Sequence, residues 1–413
     1  MPLAEGVSAR ITVKPYASGI ITPGAGPTPA TEPGATGGQI LRRVSSSLTL
    51  SKDTYQSAEI NSHRQLSDFR HGVRRVTGGI SGELSPLTYE MLFEAALRGT
   101  WDITAISLTN TELTSIAADN TLSTLTAGGG DPVSLGLRVG DVVRLTGTSD
   151  VTNSGKNFTI TGFSGASNRT IAVSPAPTTM AADTTFTMAA TGGNLIIPAS
   201  GHVSRKFAFE IWNQDIDVAQ LFTECRIGGF NVQLPPTGIG TVEFTVMGRD
   251  GVAFEAGAAP FFTSPTAETT TGLVAAVNGL LQINGVTKAV VTGANIQLEM
   301  NPEGTPVVGS DLVPEIFLGR SLVTGQFTAF FEDMSLINTF INETEISLLI
   351  YLTTSSSGSS DALTFYLPRI KLGGASVDTS GEAGQVITIP FTALKSSTGD
   401  ATTIRITDTA VTA

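Results

Sequence analysis

The chain of 413 residues holds one cysteine, three histidines and two tryptophans. A lone thiol, Cys225, forms no internal disulfide, and so few histidines give it no partners for a cysteine-based zinc site. His63, His71 and His202 show neither a helical i,i+4 pair nor an HExxH pattern. Positive charge is scarce: 24 Lys and Arg stand against 36 Asp and Glu, a net charge of −12. That balance argues against a protein that grips nucleic acid by its phosphates. No apolar run approaches the ~18 residues of a transmembrane helix. The N-terminal MPLAEGVSAR has neither a basic n-region nor an apolar h-region, so no signal peptide is expected. These absences lead to the expectation of a soluble protein, reduced or indifferent to redox, made in a cytoplasm, with no membrane partner, cofactor or metal.

Catalytic patterns are missing too. Gly162-Phe-Ser164-Gly165 lacks the last spacing of a nucleophile elbow. Gly155-Lys156 is followed by Asn157 and preceded by Asp150 where a phosphate-binding loop needs Gly. Asp215/Asp217 and Glu343/Glu345 are spaced two apart, which in strands puts both on one solvated face rather than across a cleft. Asp141 in VGDVV reads as a turn residue opening a strand, and Cys225 as an ordinary strand residue. His63 and His71 read as polar contacts in a loop. Asn157, Asn168 and Asn342 begin sequons without a secretion context. The chain is expected not to be an enzyme.

What is present in excess is threonine, 57 residues or about one in seven, with 45 Gly and 20 Pro. Threonine is β-branched and suits strands, and Gly and Pro punctuate them. The expected fold class is mainly β, with one or two helices. Internal repetition sharpens this. GVRRVTGGISGEL (Gly72 to Leu84) matches GRSLVTGQFTAFF (Gly319 to Phe331), both Gly-x3-Val-Thr-Gly followed by period-2 alternation. Each leads into a helical pattern. In the first, Ser85 is the expected N-cap, Pro86 the first helical residue, Leu87, Met91 and Ala95 the apolar stripe with Leu92 and Ala96 beside it, and Gly99 the terminator. In the second, Asp333 caps, and Leu336, Ile337, Phe340 and Ile341 form the stripe. VSSSLTL (Val44 to Leu50) matches TGANIQL (Thr292 to Leu298), and ECRIGGFNVQL (Glu224 to Leu234) matches LPRIKLGGASV (Leu367 to Val377).

The first copy is longer than the second, and the surplus falls in the Thr-, Gly- and Ala-rich segment 103–199. This segment reads as a small inserted β-barrel or sandwich that projects from a surface loop. The domain reading is an extended N-terminal arm (1–38), a discontinuous first β-sandwich domain (39–102 and 200–257), the insert (103–199), a linker (258–272) and a second sandwich domain (273–413). Each sandwich carries one flanking helix.

Both copies have a long loop after their first strand: Ser51 to Gly72 in the first, Glu299 to Gly319 in the second. Loops of that length in a compact unit are commonly functional. The first copy holds a basic cluster in and just after its loop, Arg64, Arg70, Arg74 and Arg75, interrupted by Asp68 beside Phe69. The second holds Pro306, Asp311 and Glu315. Residues 260–413 contain 6 basic and 14 acidic residues, while 1–102 contain 10 and 9. A solvated loop, a nucleic-acid patch and pairing with acidic surface on a neighbouring subunit are all open for the cluster; the charge asymmetry favours the last. Such a contact between unlike faces closes rings and stacks them into tubes.

Thr54 to Leu97 (TYQSAEINSHRQLSDFRHGVRRVTGGISGELSPLTYEMLFEAAL), with LVTGQFTAFFEDMSLINTFINETEISLLIYL and FYLPRIKL, resembles the tail tube proteins of long-tailed bacteriophages, in a duplicated-domain version. The resemblance covers both repeats but neither the arm nor the insert. It implies tube β-sandwich domains, six to a ring, hence a homotrimer with pseudo-sixfold symmetry, as in non-contractile siphophages. It also implies rings stacked through the long loops, with Arg64, Asp68, Phe69, Arg70, Arg74, Arg75, Pro306, Asp311 and Glu315 as inter-subunit and inter-ring residues. The implied partners are further copies of the chain, the tape measure, tail terminator and distal tail proteins, and viral DNA passing through the lumen without specific binding. The implied location is the virion tail, assembled in the host bacterial cytoplasm. The alternative reading is a tail-associated receptor or glycan-binding protein.

Overall fold

The computed structural model describes residues 3–16, 33–60, 65–124, 130–255, 257–288, 291–355, 358–378, 384–397 and 399–412. The protein is mainly β. Its three α-helices among the described residues are short: α1 (Glu90–Leu97), α2 (Asn110–Leu113) and α3 (Ser335–Ile341). The strands that position the surfaces discussed below are β1 (Ala9–Pro15), β2 (Thr49–Gln56), β3 (Phe69–Glu83) and β4 (Gly193–Ile196). They continue with β5 (Phe207–Asn213), β6 (Val218–Leu234), β7 (Thr241–Gly248), β8 (Asp250–Phe254) and β9 (Leu280–Ile283). The remainder are β10 (Val291–Glu299), β11 (Leu322–Phe330), β12 (Ile346–Thr353), β13 (Ala362–Leu372), β14 (Ser376–Asp378), β15 (Val386–Ala393) and β16 (Arg405–Asp408).

An antiparallel run crosses the molecule in the order β2-β3-β7-β6-β10-β11-β15-β14. Two further ladders lie behind it: β1-β5-β6-β8 and β9-β12-β13-β16-β4. β6 is long enough for its first half to join the ladder of β5 and β8 while its second half joins β7 and β10.

Alternation explains which face is covered. Val76 and Ile80 of β3, Phe244 and Val246 of β7, Ile296 and Leu298 of β10, Phe327 of β11 and Ile389 of β15 are all buried in one core. Burying a side chain of this size contributes about 1.5–3 kcal/mol each. The opposite face is polar. One row runs from edge to edge through successive cross-strand partners: Ser45, Ser81, Glu243, Asn231, Gln297, Thr324, Thr392 and Lys371. The threonine excess thus supplies β-branched residues that also tolerate water.

The repeated Gly-x3-Val-Thr-Gly motif has a steric cause. Gly78 sits at φ +147°, and a Cβ there would collide with the Ser47 carbonyl. At Gly325 it would collide with the Asn295 carbonyl and lie 2.6 Å from the Phe391 ring. Each glycine lets the preceding strand approach.

The helices differ from expectation at their starts. α1 begins at Glu90, because Leu87 adopts φ +66° and breaks the first turn. Ser85 therefore does not cap it; its Oγ lies 2.6 Å from Thr88 Oγ1. At the other end Arg98 takes the left-handed conformation, and Gly99 follows where a Cβ would meet the Ile196 carbonyl. The helix buries Leu92, Phe93, Ala95, Ala96 and Leu97. Phe93 packs edge-on against Phe230, Phe244 and Phe365. At α3 the Asp333 carboxylate accepts the Ser335 amide at 2.7 Å, a capping contact one residue ahead of the helix boundary. Leu336 and Ile337 pack on the core, while Phe340 and Ile341 stay exposed.

Residues between α1 and β4 form a separate eight-stranded sheet, from Ser107–Thr109 to Thr187–Thr191, around its own apolar cluster. The chain enters and leaves it side by side, through paired backbone hydrogen bonds between Asp102 and Asn194. This unit does not swing free from a loop. Asn157 donates its backbone N–H to the Gly358 carbonyl (2.6 Å) and its Nδ2 to Ser360 (3.1 Å). Beside these, Asp141 pairs with Arg405, Arg405 with Asp400, and Arg138 with Asp400 at 3.2 Å.

Two segments expected to be extended are tied down where described. Within the 1–38 stretch, β1 pairs with β5 and buries Ile11 and Val13. Within the 258–272 connection, Thr263 and Thr266 bridge to Thr36 and Gln39, and Phe262 is buried. The Glu210 carboxylate accepts the Phe261 amide at 2.5 Å.

Candidate assembly interface

The two long loops have different fates. After β10, residues Glu303–Gly304 and Ile316–Phe317 pair as a small hairpin. It folds back over β3 and β7, burying Val313 and Ile316 against Val73, with Met247 packed on the same cluster. A buried ionic network holds it. Glu224 pairs with Lys206 (3.3 Å) and Arg249 (2.5 Å), Lys206 also with Glu315 (2.8 Å), and Arg226 with Glu315 (3.0 Å). Arg249 Nε donates to the Val313 carbonyl at 2.6 Å. Burial lowers the Arg226 pKa against the opposing pull of Glu315, and burial first, then Glu224, pushes the Cys225 thiol up. The thiol is inert in this position.

The sequence-derived residues divide accordingly. Arg74 of β3 and Asp311 of the second loop meet: their side chains pair at 3.0 Å, and the Arg74 amide donates to the Asp311 carbonyl at 2.8 Å. Arg74 also pairs with Asp250 at 3.1 Å. Glu315 belongs to the network above. Arg75 pairs with Asp53 at 2.6 Å across β2 and β3. The acidic partners of these two arginines therefore lie within the chain. Pro306 is exposed at the tip of the second loop, next to Val307 and Val308. Arg64 lies outside the described residues.

The first loop remains outward. β2 and β3 continue as a hairpin past the sheet, with a register irregularity between Lys52 and Thr54 and with exposed Tyr55, Ile60, Leu66 and Phe69 near its end. Asp68 holds Arg70 at 3.1 Å, and the Arg70 side chain is 80% exposed. Phe69 stacks edge-on against His71. The outer edges of β2 and β14 carry no ladder partner among the described residues. Unpaired edges of this kind template strand addition.

Sequence reasoning missed Lys206, Glu224 and Arg249. Glu224 lies within β6, Lys206 just before β5 and Arg249 between β7 and β8, and nothing local marks these isolated charges as partners of a distant loop. Among the described residues no group of three or more His, Cys, Asp and Glu is arranged to hold a metal ion. No helix among them is long and apolar enough to cross a membrane.

With this geometry in hand, comparison with protein families finds that residues 18–393 match the family described as "Phage tail tube protein". The chain belongs to that family, whose role is structural, in the virion tail. No curated protein matches it.

Proposed function

We propose that the chain is a tail tube subunit built from two copies of one β-sandwich unit, with three chains closing a pseudo-sixfold ring. Stacked rings form the conduit through which DNA reaches the host. The unit at 103–199 is read as an insert in the first copy. The partners are further copies of the chain and the tape measure, tail terminator and distal tail proteins, in a tube assembled in the host cytoplasm. Asp68, Phe69 and Arg70 carry contacts to other copies.

The observation that carries the reading is the β6–β10 ladder, through which one half of the chain extends the sheet of the other. The pairing order supports duplication. β2, β3, β7 and β6 follow one another as β10, β11, β15 and β13–β14 do, and β1, β5 and β8 correspond to β9, β12 and β16. Register irregularities recur at matching places, between Phe207 and Phe209 and between Ile346 and Leu348. One sequence match needs correction by two residues. Arg226 faces Met247 as Lys371, not Arg369, faces Thr392. A two-residue slip keeps the alternation of a strand intact, so sequence similarity does not detect it.

Negative-stain microscopy of the purified chain tests the reading. Hollow rings or tubes with threefold features are expected; a monodisperse monomer at high concentration would overturn it.

A further inference from the structure

We infer that the first half of the chain binds a phosphate-type oxyanion between Arg98, Ser204 and Arg226, where α1 hands over to the eight-stranded unit and the chain returns from it. The comparison that locates the site rests on the duplicated-subunit reading above, and it assigns a ligand to one half only.

The second half carries its own negative charge at this place. After α3 the chain turns at Glu343, which takes φ +51°, and then enters β12. The Glu343 carboxylate pairs with Lys371 at 3.6 Å, beside the Glu345–Arg369 pair at 2.6 Å. In the first half the eight-stranded unit is spliced into this turn, so two residues share the place of Glu343. Arg98 follows α1 in the same left-handed conformation, at φ +54°. Ser204 precedes Phe207 of β5 by as many residues as Glu343 precedes Ile346 of β12. The Val203 amide donates to the Arg98 carbonyl at 2.9 Å and holds the two flanks together. Arg226 stands where Lys371 stands in the second half. A carboxylate beside a cation in one half is thus replaced, in the other, by an arginine and a serine beside a cation.

That replacement leaves positive charge in excess. Lys206, Arg226 and Arg249 share the two carboxylates of Glu224 and Glu315, and Arg98 adds a further cation beside Arg226. Glu315 does not serve Arg226 alone, because its other oxygen holds Lys206 at 2.8 Å. Burial lowers the Arg226 pKa, Glu315 opposes it, and the neighbouring charge of Arg98 lowers it further. Hydrogen bonding is left open as well. Arg98 Nε, Ser204 Oγ and Arg226 Nε are buried atoms without a hydrogen-bond partner among the described residues. The Arg226 side chain is only 11% exposed, so bulk water screens it poorly. Buried donors without acceptors call for a ligand, and buried cations without enough carboxylates call for a negative one. A phosphate can offer each of these donors its own oxygen, and guanidinium groups match its geometry.

Equilibrium dialysis of the full chain against labelled inorganic phosphate tests the site, with chloride holding ionic strength constant. Saturable, equimolar binding is expected. Arg98→Gln and Ser204→Ala each remove a donor to a charged ligand and should weaken binding at least about tenfold. Arg98→Glu supplies in the first half the carboxylate that Glu343 supplies in the second, and should abolish binding. Phosphate should raise the melting temperature of the parent chain but not that of Arg98→Glu. Ser204→Ala changes no charge and carries the test should an Arg98 variant fail to fold. No saturable binding to the parent, or equal binding to the parent and Ser204→Ala, would overturn the site. Displacement of phosphate by acetate at equal concentration would assign the place to a carboxylate and overturn the ligand class. Negative-stain images of the same material keep the site and the subunit reading apart. Rings without phosphate binding would overturn the site alone. Binding that follows the variants without any rings would support the site and count against the tube subunit.

Discussion

Asp408 is buried where its Oδ2 accepts the Leu87 amide (2.7 Å) and its Oδ1 the Ala410 amide (2.9 Å). Desolvation outweighs both hydrogen bonds and pushes the carboxyl up to about 6. An aspartate in an unfolded chain titrates near ~3.9, so between those values the folded chain binds the extra proton. The contribution of this carboxyl to stability is then greatest below about pH 4, falls between about 4 and 6, and stays reduced above, by about 3 kcal/mol. Asp408→Asn should flatten melting temperature against pH over that window; an unchanged slope would assign the dependence to other groups. Gly325→Ala tests the steric reading of the repeated motif. The added methyl meets the Asn295 carbonyl and the Phe391 ring, and overpacking of this kind costs about 1–3 kcal/mol. Gly373→Ala, whose Cβ would make only ordinary contact 3.6 Å from the Pro390 carbonyl, should cost far less in the same denaturant titration. These residues also mark what a sequence discloses. Gly78 and Gly325 stood out because steric need repeats with the motif. Asp141, read as a turn residue, is buried against Arg405, 264 positions away, and no local pattern carries such a pairing.

At the scale of elements, β16 joins three parts of the molecule. It pairs with β13 on one side and β4 on the other, and its Arg405 pairs with Asp141 of the eight-stranded unit. Arg405→Met should therefore cost about 3–5 kcal/mol, because Asp141 is left buried without its cation. Arg405→Met combined with Asp141→Asn should recover much of that loss in equilibrium unfolding. Equal losses in the single and double variants would show that the pairing is not what fastens the unit. With the unit fastened in this way, deletion of 103–199 is expected to lower stability in the same equilibrium unfolding. Strands, the glycine motif and both larger helices were legible from alternation and turn chemistry. The proposed correspondence of β8 with β16 was not, because short strands without a shared motif leave no similarity to find. Under the same proposal the Lys206–Glu224 and Glu345–Arg369 pairs would correspond with signs reversed, which preserves an ion pair while changing every residue. The basic cluster was visible as charge, but the arginines' internal partners, Asp53 and Asp250 among them, became apparent only in the fold.

For the whole molecule, the net charge of −12 is not concentrated on the polar face of the eight-stranded run. That face is mostly hydroxyl and amide: Thr, Ser, Asn and Gln, with Glu83, Glu243 and Glu299 against Lys371 and the Asp53-paired Arg75. If this face lines the proposed conduit, its chemistry suits a polyanion in transit. Neutral polar groups offer hydrogen bonds without neutralising phosphates, so no counterions are released and little binding free energy accrues. The three carboxylates add weak repulsion, screened beyond roughly 8 Å at physiological salt. Replacing Glu83, Glu243 and Glu299 by lysine inverts that balance on every copy while leaving the buried face and the strand edges untouched. Assembled tubes should form as before, and DNA should be retained in them with a strong salt dependence, log affinity falling by about 0.9 per phosphate contact per decade of salt. Virions with these substitutions should release DNA more slowly at low salt than at high salt. Release rates indistinguishable from the parent at all salt concentrations would show that this face does not meet the DNA.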